Sequence, residues 1–253
     1  MKAAGGPVGL ACCGAMTSTR TQRFPSEFEG LLSARGRRVL RGKDARARGA
    51  LTRGTFYSET GLLHDRWARH GAEVLAHAFA DVMVDLAREL PSAFSSVATG
   101  MELLPKVCRQ LTTPTTPLAL ERAHDCGLYE LLHSDSYKAF VAVLAGQPLR
   151  GPESLQVLAY RPGDYAGPHT DNHPQEPSVR HGYTDVHLTF CTPGVVRQLI
   201  VYERDGHLSQ AASLAESGTL TAYRLPFWHY TTPLETKHPH ARRWLILGTF
   251  LDP

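Results

Sequence analysis

Residues 155–171, with the sequence LQVLAYRPGDYAGPHTD, contain the most informative pattern in the chain. The segment opens with strand-forming residues, passes through a turn around Gly163, and ends on His169 and Asp171. Side chains two positions apart on a strand point to the same face of a sheet. We therefore predict that this imidazole and this carboxylate lie together and supply two of the ligands of a metal site.

His229 is the best candidate for a third ligand, because it follows the strand-like run 219–224 and the turn-like LPFW. Two histidines and one carboxylate on one face of an iron leave the opposite positions open for a co-substrate and oxygen, which is the geometry of non-haem Fe(II) oxygenases. Arg243 opens the strand-like WLILGTF, and a buried guanidinium at that position requires an anionic partner. A dicarboxylate co-substrate supplies such a partner. Arg242 is the rival, but Arg243 shares its strand face with Leu245.

The rest of the chain divides at Pro152. Before it, apolar residues recur with helical spacing, which predicts helices over 67–90, 101–111 and 128–144. After it, short runs of β-forming residues alternate with turns, which predicts an antiparallel sandwich or barrel. These runs are 155–160, 185–190, 198–203, 219–224, 229–234 and 242–250.

Residues 155–250 resemble the Fe(II)- and 2-oxoglutarate-dependent dioxygenases, in particular the prolyl-4-hydroxylase-like branch. The residues that carry the resemblance are Tyr160, Gly163, His169, Asp171, the run from Gly218 to Tyr223, His229, Pro233 and Arg243. The preceding segment LLHSDSYKAFVAVLAGQPL also resembles the helix that comes before the first core strand in that branch.

This resemblance implies a mainly β fold with α-helices, in which buttressing helices precede a double-stranded β-helix, or jelly roll. It implies His169, Asp171 and His229 as iron ligands and Arg243 as the anchor of the distal carboxylate of 2-oxoglutarate. The implied cofactors are Fe(II), 2-oxoglutarate and O2, with ascorbate as a candidate stimulant. The implied reaction is hydroxylation of an unactivated C–H bond in a small molecule or an amino-acid-like or peptidyl substrate, with release of succinate and CO2.

Two positions refine these expectations. Some branches of the family place a serine two residues after the arginine, where this chain has Leu245, so a hydroxyl from Tyr160, Thr189 or Tyr202 is expected to assist Arg243. Related halogenases replace the metal-binding carboxylate with a small residue, so Asp171 favours hydroxylation over halogenation.

We expect the chain of 253 residues to consist of a basic segment over 1–58, a helical support region over 59–152 and a catalytic core over 153–253. The net charge is only +3, but residues 31–53 contain eight basic residues and one acidic residue. We expect segment 1–58 to be flexible. The alternatives are a handle for nucleic acid or acidic proteins and a targeting presequence. A nucleic-acid or protein demethylase and an iron-free cupin-like module remain alternative functions, although the R-x-N-x-T-x-R motif of nucleic-acid demethylases is absent from RRWLILGTF.

The remaining signals are weaker. Five scattered cysteines without a CxxC motif are typical of a reducing cytosol, and no segment has the length and apolarity of a membrane span. A cytoplasmic protein that does not act on membranes is therefore expected. The small net charge does not require a nucleic-acid partner. Loop 173–183 is a candidate lid, and Asn172 and His173 are candidates to line the substrate entrance. His238 and His240 lie in a loop rich in lysine and proline and are interpreted as surface residues.

Overall fold

The structure is a computed structural model that describes residues 23–53, 55–85, 107–112, 116–171 and 182–253. The helices precede most of the strands in the chain. A short 3-10 helix, Phe28–Leu31, is followed by α1 (Ala34–Leu40), α2 (Ala50–Arg53), α3 (Asp65–Phe79), α4 (Pro117–Asp125), α5 (Leu128–His133) and α6 (Asp135–Ala145). None of the helices in these ranges is long and apolar enough to cross a membrane.

Twelve strands are assigned in the described ranges, and every assigned pair is antiparallel. They are β1 (Phe56–Glu59), β2 (Val84–Asp85), β3 (Val107–Thr112), β4 (Arg150–Tyr165), β5 (Tyr183–Cys191), β6 (Val195–Arg197), β7 (Leu199–Arg204), β8 (His207–Ser213), β9 (Leu220–Leu225), β10 (His229–Thr231), β11 (Glu235–Thr236) and β12 (Arg243–Leu251). The large sheet has the order β1-β9-β5-β12-β4-β3-β2, the small sheet β10-β7-β8, and β11 pairs with β6.

The large sheet packs one face against the helices and the other against the small sheet. Along β12, Trp244, Ile246 and Phe250 belong to the helix-side core, whereas Leu245 and Leu247 belong to a separate cluster on the opposite face. This alternation follows from the two-residue period of a strand. A third cluster joins the two sheets and consists of Tyr183, Ile200, Leu214, Tyr223, Leu225, Phe227 and Leu251. The inner face of the large sheet is therefore where polar side chains can be enclosed between two sheets.

The close fit of α3 against β5 depends on Gly71. A Cβ at this position would overlap the ring of Phe190. Glycine therefore lets the helix backbone approach the sheet, and α3 buries its apolar face there, as the spacing of its apolar residues predicts.

All three predicted helices differ from the structure. Helix α3 ends at Phe79 rather than continuing to 90, and the predicted helix 101–111 is wrong for residues 107–111, which belong to β3 and pair with β4. Residues 86–106 lie outside the described residues. The helix predicted over 128–144 is divided at Ser134, whose hydroxyl donates to Leu131 O and accepts from the backbone N–H of Tyr137. One serine therefore ends α5 and begins α6.

Residues 23–53 of the basic segment are more ordered than their composition predicts. Residues 23–53 form three short helices, and Phe28, Leu31, Leu32 and Val39 are completely buried in the helix-side core. The apolar residues between the arginines explain the difference, because they face the core while the charged groups project outward. Residues 1–22 lie outside the described residues.

Candidate metal centre

His169 and His229 are held side by side by their backbones. The N–H of each donates to the carbonyl of the other, with both distances 2.9 Å, so the segment after β4 joins the edge of the small sheet at β10. The two imidazole rings lie 4.2 Å apart between centroids, and only 5% and 3% of the two residues is exposed.

The ring orientation of both histidines is fixed by backbone carbonyls. Nδ1 of His169 lies 2.6 Å from Gly167 O, and Nδ1 of His229 lies 3.0 Å from Phe227 O. Because a carbonyl can only accept, each Nδ1 carries the proton, and each Nε2 keeps a lone pair for another partner. A carbonyl behind the ring is the usual arrangement for a histidine that binds a metal.

Asp171 completes the group. Its Oδ2 lies 3.3 Å from Nε2 of His169 and 3.5 Å from Nε2 of His229. The three candidate ligand atoms lie within 4.8 Å of one another, and in the described part of the chain this is the one group of three or more His, Cys, Asp or Glu side chains with such spacing. The donor set of two imidazoles and one carboxylate fits a divalent transition metal.

The carboxylate reaches the histidines by a route that strand alternation did not predict. Asp171 has φ +50°, in the left-handed region, and does not belong to a strand. Aspartate tolerates this conformation better than most residues. The hydroxyl of Tyr183 donates to Asp171 O at 3.0 Å and holds the turn in place.

Arg243 lies on the inner face of the large sheet and is 1% exposed. Its Nη1 donates to Gln198 Oε1 at 3.1 Å and its Nη2 to Thr189 Oγ1 at 3.2 Å, while its Nε has no hydrogen-bond partner among the described residues. The guanidinium carbon lies 5.1 Å from the centre of the Tyr160 ring. Within the described residues, no ion pair involves Arg243. Burial lowers the pKa of this guanidinium from its usual value, because a low-polarity environment opposes the charge.

The side-chain amide of Gln198 is oriented by its own hydrogen bonds. Its Nε2 donates to Asp164 O at 3.2 Å and to Thr232 O at 3.0 Å. Because both amide hydrogens are used by carbonyls, the Oε1 must face the guanidinium. The arginine is therefore oriented by neutral acceptors, and its positive charge remains available to an anion.

No protein-family model matches this sequence, and a search of curated proteins finds no match either. Solved structures do match. The non-haem α-ketoglutarate-dependent epimerase SnoN from nogalamycin biosynthesis superposes with a TM-score of 0.53 at 16% identity, over 87% of this chain and 83% of that one. The carbocyclase SnoK from the same biosynthesis gives 0.52 at 10% identity, over 84% and 85%. A prolyl-4-hydroxylase from Pseudomonas putida gives 0.47 at 14% identity, over 85% and 99%.

The chain has the fold of the non-haem α-ketoglutarate-dependent oxygenases. This confirms the predicted fold class, a jelly roll of mostly antiparallel strands with helices packed against it. Identities of 10% and 16% support the fold alone, and the chemistry of a fold depends on the residues at its site.

Of the hydroxyls expected beside Arg243, the structure brings Thr189 and Tyr160 to it. Thr189 lies directly across from Leu245 on the neighbouring strand, so β5 provides a hydroxyl at the position where β12 has none. Tyr202 does not contact Arg243; its ring stacks on Phe56 with centroids 4.1 Å apart. Arg242 bonds to the carbonyls of Pro239 and Ala241 in a surface loop, which distinguishes it from the buried Arg243.

The other histidines take separate roles. His187 is buried, and the hydroxyl of Tyr223 lies 2.8 Å from its Nε2. His64 caps the start of α3, and His124 bonds to Glu130 at 2.8 Å. Asn172, His173 and most of the candidate lid 173–183 lie outside the described residues.

Gln198 and Tyr183 were missed by sequence reasoning. Each makes its contact across a long sequence separation, Gln198 to Arg243 and Tyr183 to Asp171. The one available signal is a polar glutamine at the start of the apolar run QLIVYE, which is now explained by its complete burial beside a charge.

Proposed function

We propose that this chain is an Fe(II)- and 2-oxoglutarate-dependent oxygenase that hydroxylates an unactivated C–H bond in a small molecule or an amino-acid-like or peptidyl substrate. His169, Asp171 and His229 would hold the iron through two Nε2 atoms and one carboxylate oxygen. The metal, when bound with 2-oxoglutarate and O2, supplies the oxidising power for the reaction, with succinate and CO2 as co-products.

The observation that carries the proposal is the buried Arg243. A charged side chain that is 1% exposed is costly unless an anion compensates it, and its neighbours Gln198 and Thr189 are neutral. A carboxylate matches the fork of a guanidinium with two hydrogen bonds. A site that combines this cation with a His-Asp-His group on the same side of the fold fits a keto acid whose far carboxylate binds Arg243.

The protein's own residues then have defined tasks. The carbonyls of Gly167 and Phe227 keep the proton on Nδ1 of each histidine, so that Nε2 faces the metal. Tyr183 holds the turn at Asp171. The flanking apolar clusters exclude water from the inner face of the large sheet, which strengthens every charge interaction there.

The contacts made by the basic segment favour a small or peptidyl substrate over nucleic acid. Several of its arginines are engaged within the fold: Arg35 with Glu59 at 2.9 Å, Arg41 with Glu29 at 3.2 Å, and Arg37 with Leu32 O at 2.9 Å. These contacts give the segment a structural role that does not require nucleic acid.

The test is O2-dependent formation of succinate from 2-oxoglutarate by the Fe(II)-loaded protein, measured with small-molecule and peptide fractions of a cell extract. We expect at least one fraction to raise succinate formation in the wild type and in His207→Ala, which changes an exposed histidine, but not in His229→Ala. If no fraction raises succinate formation above the level of His229→Ala, the proposal is wrong. Mass spectrometry of the active fraction then identifies whether oxygen has been inserted into the product.

A further inference from the structure

A cavity of about 870 Å³ lies between the edge strand β1 and the turn that joins β7 to β8. Residues that line it include Phe56, Tyr202, Glu203, Arg204, Ala212 and Phe227. Its volume lies in the range of pockets that bind small organic ligands.

The cavity shares a wall with the candidate metal centre. Phe227, which lines it, accepts the Nδ1–H of His229 through its carbonyl at 3.0 Å, and the two rings lie 5.0 Å apart. Tyr202, another lining residue, is the direct strand partner of His229. A molecule bound in the cavity therefore lies next to the residues that position a proposed iron ligand.

The apolar part of the wall is aromatic. The rings of Phe56 and Tyr202 are stacked with centroids 4.1 Å apart, and Tyr202 meets Phe227 edge-on at 6.3 Å. Aromatic faces attract organic cations as well as apolar groups.

The acidic groups around the cavity differ in their partners. Glu59 pairs with Arg35 at 2.9 Å, and Asp205 with Arg204 at 3.8 Å. Glu203 instead accepts the backbone N–H of Trp228 at 3.2 Å, and in the described part of the chain no ion pair includes it.

A change of strand register brings Glu203 to the cavity. The pairing of β7 with β8 shifts between Tyr202 and Glu203, and both residues line the cavity although they are adjacent in the chain. Bulges of this kind redirect side chains towards functional sites. Among the described residues, the result is a carboxylate that belongs to no ion pair and lines the same cavity as an aromatic wall.

We propose that this cavity selects a substrate that carries a cationic amine, with the ammonium group on Glu203 and the apolar body against Phe56, Tyr202 and Phe227. The oxidation of that substrate rests on the function proposed above. The binding preference does not, because the carboxylate and the aromatic wall are present without iron.

The preference is tested with three probes of similar shape: 2-phenylethylamine, 2-phenylethanol and 3-phenylpropanoate. Their affinities for the full iron-free chain are measured by calorimetry or ligand-detected NMR. We expect the wild type to bind the amine at least about tenfold more tightly than the alcohol, because a charge-assisted hydrogen bond is replaced by a neutral one. Glu203→Gln should remove that preference and leave the affinity for the alcohol unchanged. The matched control Glu121→Gln, at an exposed acid on α4, should keep it.

A second variant tests the aromatic wall. Tyr202→Leu should weaken binding of the amine and of the alcohol a few-fold, because an aromatic face that packs against their phenyl rings is lost. The inference is wrong if the amine binds no better than the alcohol, if Glu203→Gln keeps the amine preference, or if 3-phenylpropanoate is the tightest probe in the wild type.

A separate measurement distinguishes failure of this inference from failure of the proposed function. The visible absorption band produced by Fe(II) and 2-oxoglutarate without oxygen is recorded for the wild type and for Glu203→Gln. A band without an amine preference overturns the substrate inference alone. An amine preference without a band supports the cavity and overturns the proposed oxygenase function.

Discussion

Replacement of Arg243 by methionine tests whether Arg243 binds an anion or stabilises the fold. Methionine has a similar length and no charge, so the variant removes the buried cation while filling most of its space. Two opposing effects on stability are expected. The desolvation cost of an uncompensated buried ion, several kcal/mol, is relieved. The hydrogen bonds to Gln198 and Thr189, about 1.5–3 kcal/mol each for a charged donor, are lost. These effects nearly cancel, so the free energy of unfolding of the ligand-free protein should change by less than about 2 kcal/mol.

The effect on ligand binding should be much larger. Two opposite charges about 4 Å apart attract by about 4 kcal/mol at an effective dielectric constant of about 20. The loss of that attraction corresponds to an affinity for 2-oxoglutarate that is about 10³-fold weaker. Arg243→Met should therefore lose the ligand-induced stabilisation that the wild type shows, which reaches about 2.7 kcal/mol at a ligand concentration 100 times the Kd.

Denaturant unfolding with and without 2-oxoglutarate measures both quantities in one assay. Arg242→Met is the matched control, because Arg242 bonds to loop carbonyls and should leave the response to 2-oxoglutarate unchanged. If Arg243→Met is strongly destabilised while its response to 2-oxoglutarate is that of the wild type, then Arg243 has a structural role and the reasoning is wrong.

Three further substitutions test neighbouring features. Gln198→Glu places a carboxylate where Arg243 has a neutral acceptor. The ion pair between this carboxylate and Arg243 should compete with the ligand and weaken 2-oxoglutarate binding about tenfold or more. Unchanged binding in calorimetry would contradict the role given to the amide of Gln198. Tyr183→Phe removes the hydroxyl that holds the turn at Asp171 and should weaken metal binding about 10-fold to 100-fold. The affinity is measured by titration with Fe(II) under anaerobic conditions. An unaltered metal affinity would show that the turn is held by other contacts. Gly71→Ala forces a methyl group into the Phe190 ring and should destabilise the protein by about 1–3 kcal/mol. A thermal unfolding midpoint equal to that of the wild type would refute the close packing of α3 on β5.

The residues that meet in the candidate metal centre were predictable because few residue types bind metals and the spacing of His169 and Asp171 is short. In the structure both lie close to His229, although a left-handed backbone at Asp171, rather than strand alternation, brings the carboxylate into place. The burial of Arg243 was likewise predictable, from its position at the start of an apolar strand.

Other features depend on tertiary contacts that no local pattern records. Residues 107–111 were predicted as a helix from their apolar spacing, but pairing with β4 makes them a strand. Residues 23–53 of the basic segment pack where their buried apolar residues place them, among them Phe28, Leu31, Leu32 and Val39, whereas charge dominates the composition of the segment. Gln198 lies 45 positions from Arg243 in the chain, and only the packing of the two sheets brings them together.

The most direct test of the central claim is the absorption spectrum of the protein with Fe(II) and 2-oxoglutarate in the absence of oxygen. A keto acid bound to Fe(II) gives a weak visible charge-transfer band, and neither component alone produces it. We expect the band in the wild type and its loss in Asp171→Ala, while Arg243→Met should require a far higher 2-oxoglutarate concentration to develop it. A wild-type spectrum without this band, or an Asp171→Ala spectrum equal to that of the wild type, would contradict the assignment of an iron and 2-oxoglutarate site to these residues.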